Sequence, residues 1–156
     1  MSQKIVFMGT PEFSVPTLKL LLKSEHRILA VYSQPPTKAH RGQKISSSSV
    51  ENFAKKKALN VRTPLTLDSD EEYDFMKNLK PDIVVVIAYG KIIPKRFLNL
   101  AKHGFINVHA SLLPKWRGAA PIQRSIMNLD SETGISIMKV VEELDAGPVM
   151  HQAKIA

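Results

Sequence analysis

The stretch Ile83-Val-Val-Val-Ile-Ala88 decides the fold. It carries the strongest strand signal in the chain and is apolar on both faces, which predicts a central strand buried from two sides. Tyr89-Gly90 closes it. Around this strand short apolar runs alternate with helical patterns, the signature of βαβ units and a mainly parallel sheet.

Upstream, Lys4 to Met8 predicts a first strand ending at Gly9, followed by a turn over Thr10-Pro-Glu-Phe-Ser14. Val15 to Lys23 predicts a helix, because Val15, Leu18, Leu21 and Leu22 fall at helical spacing. Arg27 to Ser33, rich in β-branched and aromatic residues, predicts the second strand. Ser48-Ser-Val-Glu51 offers a capping box for a helix through Leu59. Asp68-Ser-Asp-Glu-Glu72 places negative charge at the start of another, ending near Leu79 before Pro81. Downstream, Pro94 to Leu100 and Ala119 to Asn128 predict helices, and Phe105 to His109 and Gly134 to Val140 predict strands. Gln34 to Ser46 contains Pro35, Pro36 and Gly42 with Lys38, His40, Arg41 and Lys44, and no apolar periodicity before Ile45. It predicts an exposed loop of a length that is either functional or disordered.

The chain has 156 residues, enough for about one domain with a substantial core, and neither internal repeats nor an interdomain linker is evident. Hydrophobic residues at 44% and charged residues at 23% are close to globular averages and suggest neither a disordered nor a fibrous class. With no cysteine, the sequence excludes disulfides, thiolate metal sites and a cysteine nucleophile. The longest apolar run, Ile83 to Tyr89, has seven residues where a membrane helix needs about 20, so no membrane partner is expected. The opening residues lack a signal-peptide pattern, and a cytoplasmic location is expected. The net charge of +8 is unevenly spread: residues 1–66 carry 11 Lys and Arg against three acidic residues, and residues 67–156 carry 11 of each. Such an excess suits either a polyanion such as nucleic acid or a solvated lysine-rich surface.

Asn107 and His109 lie two apart on a predicted strand, so their side chains leave the same face. Asp145, in Leu144-Asp-Ala-Gly147, follows a later strand. An amide donor, an imidazole and a carboxylate at strand ends suit a reaction that develops an oxyanion. A structural histidine and a turn aspartate are the plain readings of the same residues. One His and one Asp are too few to predict a metal site. Gly9 alone is no dinucleotide fingerprint, and no phosphate-binding G-x-x-x-x-G-K-[ST] occurs. Trp116-Arg-Gly-Ala-Ala-Pro-Ile-Gln-Arg124 fits either close packing at a helix start or one wall of a ligand cleft.

Taken together, these segments resemble the methionyl-tRNA formyltransferases. The resemblance rests on Phe7-Met-Gly-Thr-Pro-Glu-Phe-Ser14, Gln34-Pro-Pro with Arg41-Gly-Gln-Lys44, Val86-Ile-Ala-Tyr-Gly90, Ile106-Asn-Val-His109, Ser111 to Arg124, and Leu144-Asp-Ala-Gly147. It implies a Rossmann-like α/β fold, an open, mainly parallel sheet with helices on both faces, and transfer of a formyl group from 10-formyltetrahydrofolate to the amino group of initiator methionyl-tRNA. A glycinamide ribonucleotide or amino-sugar acceptor, or binding of folate or RNA without catalysis, are the alternatives. By the same resemblance Asn107, His109 and Asp145 are catalytic. Ser111, Leu112, Leu113 and Pro114, with Tyr89 and Gly90, face the folate, and Lys38, Arg41 and Lys44 contact the tRNA. The resemblance further implies one catalytic domain over residues 1–156, continuing past Ala156 and followed by a C-terminal β-barrel domain that this chain does not contain. A monomer without metal is expected.

Overall fold

A computed structural model describes residues 1–39, 44–143 and 145–155. The chain opens with β1 (Lys4–Gly9), a 3-10 turn at Glu12–Ser14, α1 (Val15–Lys23) and β2 (Arg27–Tyr32). The short strands β3 (Thr37–Ala39) and β4 (Lys44–Ser46) follow, then α2 (Ser49–Lys56), β5 (Val61–Arg62), α3 (Asp70–Leu79) and β6 (Ile83–Ile87). A 3-10 segment at Lys95–Asn99 leads to β7 (Phe105–His109), α4 (Pro121–Met127), β8 (Thr133–Lys139) and β9 (Val149–Ile155).

Seven strands form one sheet in the order β5-β2-β1-β6-β7-β8-β9. The first five run parallel, and β8 and β9 are antiparallel additions at one side. β1 and β6 pair at the centre, Phe7 opposite Val85. Their apolar runs are buried on both faces. Helices cover the two faces separately. Leu18 of α1 and Val50 and Ala54 of α2 pack with Phe7 and Ile87, whereas Met76 of α3, Phe97 and Phe105 pack with Val6, Met8 and Val84. Full burial of such side chains contributes roughly 1.5–3 kcal/mol each.

Helix boundaries follow local chemistry. Ser48 caps α2 by accepting the Glu51 N–H, and Ser69 caps α3 by accepting the Glu72 N–H. Asp70, Glu71 and Glu72 complement the positive end of α3, and Lys80 turns left-handed at its end, ahead of Pro81.

The sequence pattern missed four strands. The Gln34–Ser46 segment is not a plain loop: β3 and β4 form a separate antiparallel hairpin, Lys38 opposite Ile45. Three-residue strands of mixed composition carry no readable alternation. β5 has only two residues. β9 is exposed along its whole length, so no buried face marks it in the sequence.

Candidate active site

The sheet order reverses at β1. From β1 the chain builds outward through β2 and β5 on one side, then crosses to β6 and β7 on the other. Ligands of open α/β sheets bind outside the carboxyl ends of strands at such a point. A cavity of about 780 Å3 lies there, bounded by Pro11 and Phe13 after β1, Ala88 to Ile93 after β6, and Asn107 to Ala110 at the end of β7. Gly118 to Gln123 and Glu142, Glu143 and Asp145 close it from the far side.

Asn107 and His109 leave the same face of β7, as their spacing predicts. Asn107 stands between Val86 of β6 and Met138 of β8, which also line the cavity. His109 is buried, and its Nε2 lies 2.8 Å from the Trp116 carbonyl oxygen. A carbonyl only accepts, so Nε2 carries a proton and donates it. The other ring nitrogen, Nδ1, faces Asp145 Oδ2 at 3.8 Å, with both side chains less than a tenth exposed. That separation is an electrostatic contact and too long for a hydrogen bond.

Asp145 adopts a left-handed backbone (φ 50°), and its Oδ2 accepts the Gly118 N–H at 2.6 Å. The neighbouring Gly147 explains the small residue in Asp-Ala-Gly: a Cβ there would run into the Lys139 carbonyl oxygen. The Lys139 N–H in turn donates to Pro148 O at 3.0 Å, so this turn lies flat against the end of β8. Leu144 lies outside the described residues.

Tyr89 and Gly90 also line the cavity. Ala88 and Gly90 both have positive φ, 50° and 81°, and they turn the Tyr89 carbonyl toward β1 and β2. That oxygen accepts Thr10 Oγ1–H at 2.7 Å and Gln34 Nε2–H at 3.1 Å. A side chain at Gly90 would collide with the Gln34 carboxamide. The Tyr89 ring is buried near Tyr32 and the charged pair Arg62–Glu72, whose two hydrogen bonds measure 3.0 and 2.8 Å. Burial pushes both phenols up, and the charge of Glu72 adds to the shift. The hydrogen bond to Glu72 raises the Arg62 guanidinium further above its ordinary value.

Ser111 to Pro114 do not line this cavity. They form a turn braced against β8 and β9. Ser111 Oγ donates to Lys115 O at 2.6 Å, Ser136 Oγ donates to Ser111 O at 2.6 Å, and Gln152 Nε2 donates to Leu113 O at 3.0 Å. Lys38 and Lys44 are exposed on the β3–β4 hairpin. Their register, Lys38 against Ile45 and Lys44 against Ala39, sends them from opposite faces of the ribbon. Arg41 lies outside the described residues. Among the described residues no group of three or more His, Asp or Glu is placed to hold a metal, and no helix is long and apolar enough to cross a membrane.

Of the two readings of the Trp116–Arg124 segment, close packing is not found: a Cβ at Gly118 would meet nothing within 4 Å, and Ala119 and Ala120 are exposed. Gly118 to Gln123 line the cavity, and Pro121 opens α4. Sequence reasoning missed the groups that hold His109, Asp145 and Tyr89: the Trp116 carbonyl, the Gly118 N–H, and Thr10 and Gln34 on the Tyr89 carbonyl. Backbone donors and acceptors have no residue-type signature. Only Gly118, a lone glycine between Arg117 and Ala119, marked a special backbone position.

A family model described as formyl transferase matches residues 3–156. The chain is 63% identical over 150 residues to a methionyl-tRNA formyltransferase of Pelagibacter ubique, a match spanning 96% of this chain and 48% of that protein. It is 52% identical over 153 residues to the methionyl-tRNA formyltransferase of Coxiella burnetii, across 98% of this chain and 49% of that one. The chain therefore spans about half the length of the curated relatives it matches. Among solved structures, the phosphoribosylglycinamide formyltransferase of Anaplasma phagocytophilum superposes with a TM-score of 0.80 at 21% identity, covering 99% of this chain and 72% of that one. A family match from residue 3 to residue 156, over a sheet that gathers Asn107, His109 and Asp145 at one cavity, shows that the chain belongs to the formyl transferase family.

Proposed function

We propose that this chain is the part of a methionyl-tRNA formyltransferase that transfers the formyl group from 10-formyltetrahydrofolate to the amino group of initiator methionyl-tRNA. The observation that carries the reading is the convergence of Asn107, His109 and Asp145 on one cavity. The identity of 63% and 52% to proteins of that name supports the choice of acceptor.

The cavity suits a folate. Phe13, Val86, Ile92, Ile93, Ile122 and Met138 give it apolar walls, and Asn107, His109 and Asp145 add polar groups to them. Tyr89 and Gly90 form part of that wall. Ser111 to Pro114, assigned to the folate by resemblance, act in this reading by bracing the loop beyond His109. The donor supplies the formyl carbon.

The amine nitrogen forms a bond to that carbon as the bond to the folate nitrogen breaks, and one proton leaves the amine while one reaches the folate nitrogen. Asn107 offers an amide N–H to the formyl oxygen, where negative charge develops. His109 has its Nε2–H committed to Trp116, so Nδ1 is the nitrogen that serves the reaction. As an imidazolium it presents an Nδ1–H that Asp145, at 3.8 Å, attracts without sequestering. Asp145 offers a carboxylate for the proton that leaves the amine. The basic hairpin, with Lys38 and Lys44 and by resemblance Arg41, supplies phosphate contacts to the tRNA.

The test offers labelled 10-formyltetrahydrofolate to the full-length protein with methionyl-tRNA, a glycinamide ribonucleotide or an amino sugar. Label is expected on methionyl-tRNA alone. Label on either small acceptor instead would refute the assignment of acceptor.

A further inference from the structure

We infer that Asp130, outside the cavity, is a positioning residue that sets the tautomer and orientation of His109 through Trp116. Asp130 lies in the turn between α4 and β8, and its side chain is 6% exposed. Its Oδ2 accepts the Trp116 Nε1–H at 2.7 Å. Its Oδ1 accepts from Asn128 Nδ2 at 2.7 Å and lies 3.1 Å from Lys115 Nζ. Hydrogen bonds from Asn128 and then Trp116 hold this carboxyl below the ordinary aspartate range. The carboxylate thus holds two consecutive residues of one loop, Lys115 and Trp116.

That loop delivers two of the site's backbone groups. Trp116 has a left-handed backbone (φ 57°), an uncommon conformation for a residue with a bulky side chain, so something outside the residue must stabilise it. The indole N–H on Asp130 supplies such an anchor. In this conformation the Trp116 carbonyl meets His109 Nε2 at 2.8 Å, and two residues on the Gly118 N–H meets Asp145 Oδ2 at 2.6 Å. One buried carboxylate therefore stands behind both partners of the His109–Asp145 pair. Without the carbonyl acceptor, the neutral imidazole has no reason to keep its proton on Nε2, and Nδ1 loses its fixed approach to the cavity. Besides Asp145, the charged side chains lining that cavity among the described residues are Lys91, Glu142 and Glu143.

The inference rests on the formyl-transfer reading for its kinetic consequence only, and its structural half is read without substrate. In ring 15N spectra recorded where the imidazole is neutral, with His109→Ala used to assign the signals, the wild type is expected to show a single tautomer with an exchange-protected Nε2–H. Trp116→Phe, which removes only the indole donor, and Asp130→Ala are each expected to mix the tautomers and expose that proton. Asp130→Asn, which keeps an acceptor for the indole, restores most of the protection. Turnover per folded molecule falls roughly tenfold in each of the first two variants with KM little changed, and the double variant is no worse than either, as expected when misplacement of one group is the whole effect. Absent transfer by the wild type would sink the formyl-transfer reading and leave the ring spectra to decide this one. A His109 ring signal unchanged in Trp116→Phe overturns the inference, whether or not Asp130→Ala folds, and so do turnover losses that multiply in the double variant.

Discussion

Asp145 Oδ2 faces His109 Nδ1 at 3.8 Å while accepting the Gly118 N–H at 2.6 Å. The carboxylate is therefore held by the backbone, and its approach to the imidazole is set by the turn it stands on.

That turn depends on Gly147. A Cβ there meets the Lys139 carbonyl, a backbone atom that cannot rotate away. Gly147→Ala is expected to destabilise the protein by about 1–3 kcal/mol, as overpacking does. It should also lower turnover by more than its unfolded fraction explains, since Asp145 moves with the turn. Chemical denaturation alongside turnover measures both. Turnover that tracks the folded fraction alone would show that the turn does not set Asp145.

The hairpin register separates two lysines with the same proposed role. Lys38 and Lys44 leave opposite faces of the β3–β4 ribbon, so one docked tRNA backbone engages one face more than the other. Lys38→Ala and Lys44→Ala should weaken tRNA binding unequally. The stronger variant reduces the salt slope by roughly 0.7–0.9, the share of one phosphate contact. Binding across a salt series reads this, and two unchanged slopes would remove the hairpin from the RNA interface.

Tyr32 is fully buried, and its phenol is pushed up by burial and by the charge of Glu72. The fold thus favours the neutral phenol. Its stabilising effect is complete below the ordinary phenol value of about 10, where the unfolded chain is also neutral. It is lost as pH rises above that value, because only the unfolded chain ionises freely. Tyr32→Phe removes this site and should lose less stability between about pH 9 and pH 11 than the wild type. Parallel denaturation curves across that range would refute the linkage.

The parallel core was legible because its causes are local. The two-sided apolar run of β6, the helical spacing of α1 and the caps of α2 and α3 each lie within a few residues. Asn107 and His109 were legible from their spacing once β7 was recognised. What escaped depends on distant parts of the chain. β9 is a strand only because β8 offers an edge, and its side chains are exposed throughout. The Trp116 carbonyl meets His109 from a loop whose indole is bonded to Asp130, 14 residues later. In Ser111 to Pro114, which the resemblance assigns to the folate, the Ser111 and Leu113 carbonyls accept from Ser136 and Gln152 of the antiparallel strands, contacts with no local signature.

Asn107 and His109 are proposed to stabilise the charge that develops on the formyl oxygen. Single-turnover formyl transfer by Asn107→Ala and His109→Ala, at saturating methionyl-tRNA and 10-formyltetrahydrofolate, tests it most directly. Each variant is expected to fold normally and to slow transfer by about 10² or more, as loss of an oxyanion donor or general acid does. Transfer at nearly the wild-type rate in either variant would contradict the account.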